Sequence, residues 1–307
     1  MRAKFIFKLL IFPFLFAFTV SAQTATRTIT VVTEPRAVVW IDNIKYGATD
    51  ESGKLTLKNI PAGIRKLRVR ANGFKETTQN LLAAQKGEVK IALTKTADDA
   101  EIAFQEAERL SSIDREKAIE AYRKTITLRP KYAEANLELA RLLIAAGDTE
   151  GALKAVQAAR KARPAYAEAS AVEGRIYVAE ENEEKAVAAF KRAVAEGKGF
   201  QPEAHTGLGL MYRDKASGFA AEGDFENEKQ NYILAAESLK KAAAQLGSSP
   251  DAITIYQLLG DSYERAKMYP EAIKIYEQFL RLFPDSSEAE AVRSFIVQIK
   301  KRQNGEQ

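Results

Sequence analysis

Residues 131–164 read KYAEANLELARLLIAAGDTEGALKAVQAARKARP and contain two consecutive helical patterns. In the first, Leu139 and Leu143 lie four residues apart, on one face of a helix. Gly147 then interrupts the pattern, and Val156 lies on the apolar face of a second helix. Neither helix can bury its apolar face alone. We therefore expect this helix pair to stack on neighbouring pairs of the same kind.

The pattern of this helix pair returns along the chain with a period of 34 residues. The positions that recur at this interval are Ala118, Ala152 and Ala186, then Tyr122, Val156 and Phe190, and the closing prolines Pro130 and Pro164 and later Pro250 and Pro284. These small, bulky and proline positions resemble the tetratricopeptide repeat. The resemblance implies about five helical hairpins over residues 97–286, with an insertion in the fourth, and a capping helix and tail over residues 287–307.

The segment before the repeats has short, β-branched or alternating runs separated by turn residues, which predicts a small antiparallel β-sandwich over residues 23–96. Residues 34–74 resemble a PEGA domain, and residues 49–74 are also similar to carboxypeptidase regulatory-like domains. The residues that carry the PEGA resemblance are Pro35, Ala37, Asp42, Gly47, Thr49, Pro61, Gly63, Gly73 and Phe74. Both families imply a β-sandwich. The predicted fold class is therefore α+β, a β-sandwich followed by an α-helical tetratricopeptide solenoid.

Residues 1–22 have the pattern of a secretory signal peptide, with three basic residues, an apolar run and small residues before Gln23. We expect cleavage after Ala22, no membrane span in the mature chain, and a location in the periplasm or at the surface of a bacterium. An uncleaved anchor is the alternative. The formal net charge of +5 is unevenly spread, with the basic excess in residues 23–96 and an acidic excess in the repeats. An exported chain with this balance is a poor candidate for binding nucleic acid.

The composition excludes two classes of catalytic and metal-binding site, because the chain has no cysteine and only one histidine, His205. Thiolate metal sites, cysteine nucleophiles and most histidine-based catalysis are therefore ruled out. We expect no catalytic residue, no metal site and no cofactor. His205 falls on a packing face, where a structural role is expected.

On the first helix of each repeat, a row of side chains lies next to the face that packs in the core, turned from it by about 100° around the helix axis. This row is called the second stripe. In tetratricopeptide repeats this stripe lines a concave groove that binds partner segments. The residues predicted to line it are Leu137, Arg141, Ile144, Arg175, Val178, Thr206, Arg213, Gln257 and Asp261. Arg141 and Arg175 are equivalent, so their guanidinium groups could bind a partner carboxylate. Pairing with Glu134, Glu138 or Glu168 within the chain is the alternative.

The sandwich offers a second candidate surface, because basic residues alternate with apolar ones in two adjacent runs. If these two runs pair across the turn at Pro61, their basic residues share one exposed face. The residues of this predicted basic face are Lys54, Lys58, Lys66, Arg68 and Arg70. Such a face could bind an anionic glycan or lipid, or it could simply be solvated.

The sequence thus favours a non-enzymatic scaffold of the bacterial cell envelope that holds a protein or peptide partner in the groove. The alternative is an envelope-attachment module whose basic sandwich binds anionic cell-wall glycan or lipopolysaccharide.

Overall fold

The computed structural model describes residues 26–303, so the predicted signal peptide lies outside the described residues. Seven strands come first, and their bounds are β1 Thr26–Val32, β2 Val38–Ile41, β3 Ile44–Ala48, β4 Lys54–Pro61, β5 Arg65–Arg70, β6 Thr77–Leu81 and β7 Gly87–Lys90. The helices that follow are α1 Asp99–Leu110, α2 Arg115–Leu128, α3 Ala133–Ala145, α4 Thr149–Ala162, α5 Ala167–Ala179, α6 Glu183–Glu196, α7 Pro202–Glu222, α8 Phe225–Leu246, α9 Ala252–Arg265, α10 Tyr269–Leu282 and α11 Ala289–Gln303. The predicted fold class is confirmed.

The strands form two sheets packed face to face. One has the order β4-β1-β7 and the other β3-β2-β5-β6. All neighbouring strands are antiparallel except β1 and β7, which pair in parallel. The inward positions alternate along the strands, as in Ile29 and Val31 or Leu67 and Val69, all of which are fully buried. The sequence analysis does not predict β3 and β6, whose sequences IKYGA and TTQNL are short and contain polar or small residues.

The predicted basic face does not form, because β4 and β5 do not pair with each other. The turn at Pro61 carries the chain from one sheet to the other, so β4 pairs with β1 and β5 pairs with β2 and β6. The physical reason is the apolar pattern. Leu57 and Ile60 on β4 and Leu67 and Val69 on β5 are buried between the two sheets rather than side by side in one.

Helices α1 to α10 form five antiparallel hairpins, and α11 covers the end of the last one. Small residues allow close contact within a hairpin. Ala152 is fully buried, and a Cβ added to Gly174 would overlap the ring of Phe190. Helices α7 and α8 are longer than the others, at 21 and 22 residues, and Gly223 ends α7 with a left-handed φ of 79°.

The sandwich packs against the solenoid near both of its ends. Near the start, the Gln105 side chain on α1 accepts a hydrogen bond from the backbone N–H of Gly73 and donates one to the carbonyl of Phe74, both at 2.8 Å. Near the end, the Ser248 hydroxyl donates to the carbonyl of Lys58 at 2.8 Å. The sandwich core is also continuous with the apolar core of α8 to α11. The sandwich therefore bridges the first and last hairpins.

No helix within residues 26–303 is both long and apolar enough to cross a membrane.

Candidate partner-binding groove

A cavity of about 960 Å³ lies between the sandwich and the first helices of the hairpins. The turn between β2 and β3 forms one wall, and α3, α5, α7 and α9 contribute to the other. Apolar side chains that line it include Ile44, Tyr166, Phe200, Leu210 and Ile255. Phe200 and Leu210 are 42% and 45% exposed, so a bound molecule could bury them. The charged residues of the lining are Asp42, Lys45, Glu138, Arg141, Arg163, Glu168, Arg175, Glu196, Glu203 and Asp251.

Arg141 and Arg175 lie on neighbouring first helices, as predicted from the repeat, but both bind a carboxylate of the same chain. The Arg141 guanidinium donates two hydrogen bonds of 2.7 Å to the two carboxylate oxygens of Glu203. Arg175 donates a third to Glu203, at 3.2 Å. Glu203 follows Pro202 in the first turn of α7, where the helix dipole also favours a negative charge. The two guanidinium groups thus share one internal carboxylate.

The pKa values of two carboxyl groups in this cluster, Glu203 and Glu138, are shifted in opposite directions. Burial alone would raise the pKa of Glu203, but the charge and hydrogen bonds of Arg141, then those of Arg175, hold it below the ordinary value. Burial raises the pKa of Glu138, and its 3.4 Å ion pair with Arg141 only partly opposes this effect. Glu203 is therefore the carboxylate that neutralises Arg141, with Glu138 in a weaker supporting position.

The other predicted groove residues differ in their accessibility. Leu137 is only 3% exposed and packs in the helical core. The prediction that it lines the groove is therefore wrong. Thr206 lines the cavity and is half-buried, whereas Val178 is 42% exposed but lies outside the lining. Ile144 and Gln257 are half-buried away from the cavity.

Arg213 and Asp261 also pair with each other. The Arg213 guanidinium donates to an Asp261 carboxylate oxygen at 2.7 Å and to the Ser262 hydroxyl at 2.8 Å. These contacts join the long helix α7 to α9. This part of the stripe thus connects two hairpins, which corrects the expectation that both side chains are available to a partner.

Two members of the predicted basic face point into the interface between sandwich and solenoid. Arg70 is 5% exposed and pairs with Glu76, with Glu108 at 2.8 Å and with Glu134 at 3.8 Å. Arg68 stacks over the Trp40 ring at 4.2 Å. Because their charges are satisfied inside the molecule, these arginines hold the sandwich against α1 and α3.

The three lysines of that predicted face are exposed, but they lie on different sheets. Lys54 and Lys58 on β4 pair with Glu88 at 3.7 Å and with Asp285 at 3.5 Å. Lys66 lies on β5, in the other sheet. The continuous anionic-ligand surface expected from the sequence is therefore not formed.

The sequence analysis did not place Glu203, or the turn at Asp42 and Asn43, in the groove. Glu203 could have been found, because Glu134, Glu168 and Glu203 each follow the first residue of a first helix. No repeated position in the sequence indicates that the turn at Asp42 and Asn43 lies in the groove. Its position against the helices depends on how the sandwich docks.

Family models of the tetratricopeptide repeat match residues 110–176, 143–210 and 254–286. No curated protein sequence matches the chain.

Several solved structures resemble the fold. The yeast Tom70 structure has a TM-score of 0.52 and 15% identity, over 68% of this chain and 41% of that one. A structure of a monomeric IFIT1 mutant with Gppp-AAAA has a TM-score of 0.51 and 15% identity, over 67% of this chain and 46% of that one. A thermophilic tetratricopeptide protein of Thermus thermophilus, TTC0263, is 20% identical over 65% of this chain and 98% of that one, with a TM-score of 0.46. Residues 110–210 and 254–286 are thus similar to the tetratricopeptide repeat, and the solved structures are similar in fold alone.

Proposed function

We propose that this chain is a non-enzymatic protein-binding scaffold that holds a segment of a partner in the cavity between its sandwich and its repeats. Tetratricopeptide proteins are generally scaffolds for protein interactions, and models of that repeat match residues 110–210 and 254–286. The observation that carries the proposal is the cavity of about 960 Å³. It lies on the first helices, with Phe200 and Leu210 partly exposed to it.

The size of the cavity limits what it can hold. Pockets for small ligands range from about 300 to 1,000 Å³, so this volume suits a short segment rather than a whole folded domain. Because the sandwich bridges the first and last hairpins, a partner segment has to fit beside the turn between β2 and β3. We therefore expect a short linear segment as the occupant.

Site-specific photo-crosslinking tests this proposal. A photoreactive amino acid at Leu210 should form a crosslink to one discrete protein, mapped by mass spectrometry to one short segment. The same group at Phe225, which is 71% exposed on α8 and is absent from the cavity lining, should not form that crosslink.

The purified partner should then bind the wild-type chain and lose affinity for Leu210→Ser. Equal crosslinking from both positions, or unchanged binding by Leu210→Ser, would contradict the proposal.

We further propose that the scaffold works outside the cytoplasm, in the bacterial cell envelope. The support is the pattern of residues 1–22, with basic residues before an apolar run and Val20-Ser21-Ala22 before the expected cleavage position. The mature protein should have the intact mass of a chain that begins at Gln23. A mass that includes Met1 would exclude cleavage.

A further inference from the structure

Three glutamates occupy equivalent positions on the groove side of the solenoid. Glu134, Glu168 and Glu203 are each the second residue of a first helix, in α3, α5 and α7. The repeat therefore places three carboxylates in a row on adjacent first helices. Their surroundings are not equivalent.

The two outer glutamates are surrounded by guanidinium groups. Glu203 binds Arg141 at 2.7 Å and Arg175 at 3.2 Å. Glu134 lies 3.4 Å from Arg163 and 3.8 Å from Arg70. Each outer carboxylate thus has at least two arginine partners from the same chain, and the contact of Arg141 with Glu203 is bidentate.

The middle glutamate lacks such a partner. Among residues 26–303, no lysine or arginine nitrogen lies within 4.0 Å of the Glu168 carboxylate, and no hydrogen bond to its side chain is formed. Glu168 is half-buried and lines the cavity. A half-buried carboxylate gains from a cation, since fewer water molecules solvate it than at a fully exposed site.

The charge of the cavity lining also favours a cationic partner. Of the ten charged lining residues, Asp42 and Glu196 pair with Arg65 and Arg160 outside the lining, and Arg163 pairs with Glu134. Apart from the cluster around Glu203, this leaves Glu168, Asp251 and Lys45 without an ion-pair partner among residues 26–303, a formal net charge of −1. The basic charge of Arg141 and Arg175 is already neutralised by Glu203 and Glu138. A segment that brings a further carboxylate would meet excess negative charge, whereas a segment that brings a cation would be complementary.

We infer that the partner segment is basic and apolar, and that it places an arginine side chain on Glu168. This inference rests on the proposed function and specifies the chemistry of the partner. The bound arginine would give Glu168 the guanidinium contact that the two outer glutamates obtain within the chain. Apolar residues beside it would cover Phe200 and Leu210, on the same cavity wall.

Selection of a random peptide library on the chain from Gln23 to Gln307 tests this inference. The selected peptides should share an arginine next to a leucine or an aromatic residue. Glu168→Gln should weaken their binding about tenfold, the loss of one charge-assisted hydrogen bond. The matched control is Glu150→Gln, which removes a carboxylate from the first turn of α4 where it is 81% exposed and outside the cavity, and it should leave affinity unchanged.

Two results would overturn the inference while leaving the scaffold function intact. One is selection of acidic peptides whose binding is lost in Arg175→Ala. The other is selection of basic peptides that bind Glu168→Gln as well as the wild type. If no selected peptide depends on Leu210, as judged by Leu210→Ser, then the cavity is not a peptide site and the proposed function itself fails.

Discussion

Replacement of Arg70 by methionine should loosen the sandwich from the solenoid. Methionine has a similar length and keeps part of the packing, but it removes the guanidinium that lies 4.7 Å from the centre of the Phe104 ring. Glu108 would then lose its arginine partner, whereas Glu76 keeps Arg68 at 3.3 Å and Glu134 keeps Arg163 at 3.4 Å. The variant therefore tests whether the ion cluster holds the two parts together.

The expected loss is about 3 kcal/mol of unfolding free energy. Removal of one partner of a buried ion pair costs about 3–5 kcal/mol, because the remaining charge stays buried without compensation. The lower end applies here, since the side chains of Glu76, Glu108 and Glu134 are 27–31% exposed and keep some water. Burial alone would lower the pKa of Arg70, but the charges of Glu108 and then Glu76 raise it well above the ordinary value, so the lost group is a full cation.

The loss of unfolding free energy should become smaller as the pH falls. Burial raises the pKa of Glu108 in the folded chain, and Arg70 opposes that shift. Without Arg70 the pKa of Glu108 rises further, so the folded variant takes up a proton more readily than the unfolded chain does. The unfolding free energy that the variant loses relative to the wild type should therefore be largest at pH 7. This loss should shrink as the pH falls towards 4.5, the ordinary pKa of glutamate.

Urea unfolding measures this loss with two probes. Trp40 is the single tryptophan, is 9% exposed and lies under Arg68, so its fluorescence reports on the sandwich. Far-ultraviolet circular dichroism reports on the helices. Arg109→Met is the control, because Arg109 is 49% exposed and, within residues 26–303, forms an ion pair only with Glu106 on its own helix face. A loss below about 1 kcal/mol for Arg70→Met, or a loss that does not change with pH, would refute the reasoning.

Three further substitutions test the packing of the helices and the groove cluster. Gly260→Ala should destabilise the chain by about 1–3 kcal/mol in thermal unfolding, because a Cβ there overlaps the buried Tyr276 ring. Gly218→Ala, with open space around the added Cβ, should instead stabilise by about 0.5–1 kcal/mol; the same sign for both would contradict the packing argument. Glu203→Gln should cost about 1.5–3 kcal/mol at pH 7 in urea unfolding, because Arg141 loses a charged acceptor. Since the pKa of Glu203 lies below its ordinary 4.5, the wild type should lose this advantage as the pH falls below that value, and a difference that persists in acid would contradict the assignment.

The repeats could be predicted from the sequence because their signals are local. A hairpin needs an apolar face, a turn and small residues at its crossing, and all of these lie within 34 residues of one another. Ala152, Val156 and Gly174 are accordingly buried as the pattern requires. The equivalence of Arg141 and Arg175 followed from the same period, and both reach one carboxylate in the structure.

The partners of the charged residues could not be predicted in the same way. Glu203 lies 62 residues after Arg141, and nothing near Arg141 in the chain indicates which carboxylate it contacts. Of the carboxylates that the sequence suggested as partners of Arg141, only Glu138 contacts it, at 3.4 Å between Nε and Oε1. The repeat determines where a charged side chain lies but not which residue it contacts, so its partner depends on which surfaces meet after folding.

By itself, the sequence determined the β-sandwich, the helical hairpins and the absence of cysteine chemistry, since these depend on composition and short-range periodicity. Only the tertiary structure decided that β4 and β5 enter different sheets and that Arg70 is an interface residue. It also decided that the sandwich narrows the groove to a cavity beside Glu168. These features depend on contacts between segments far apart in the chain, where burial of two apolar surfaces fixes which charges are brought together.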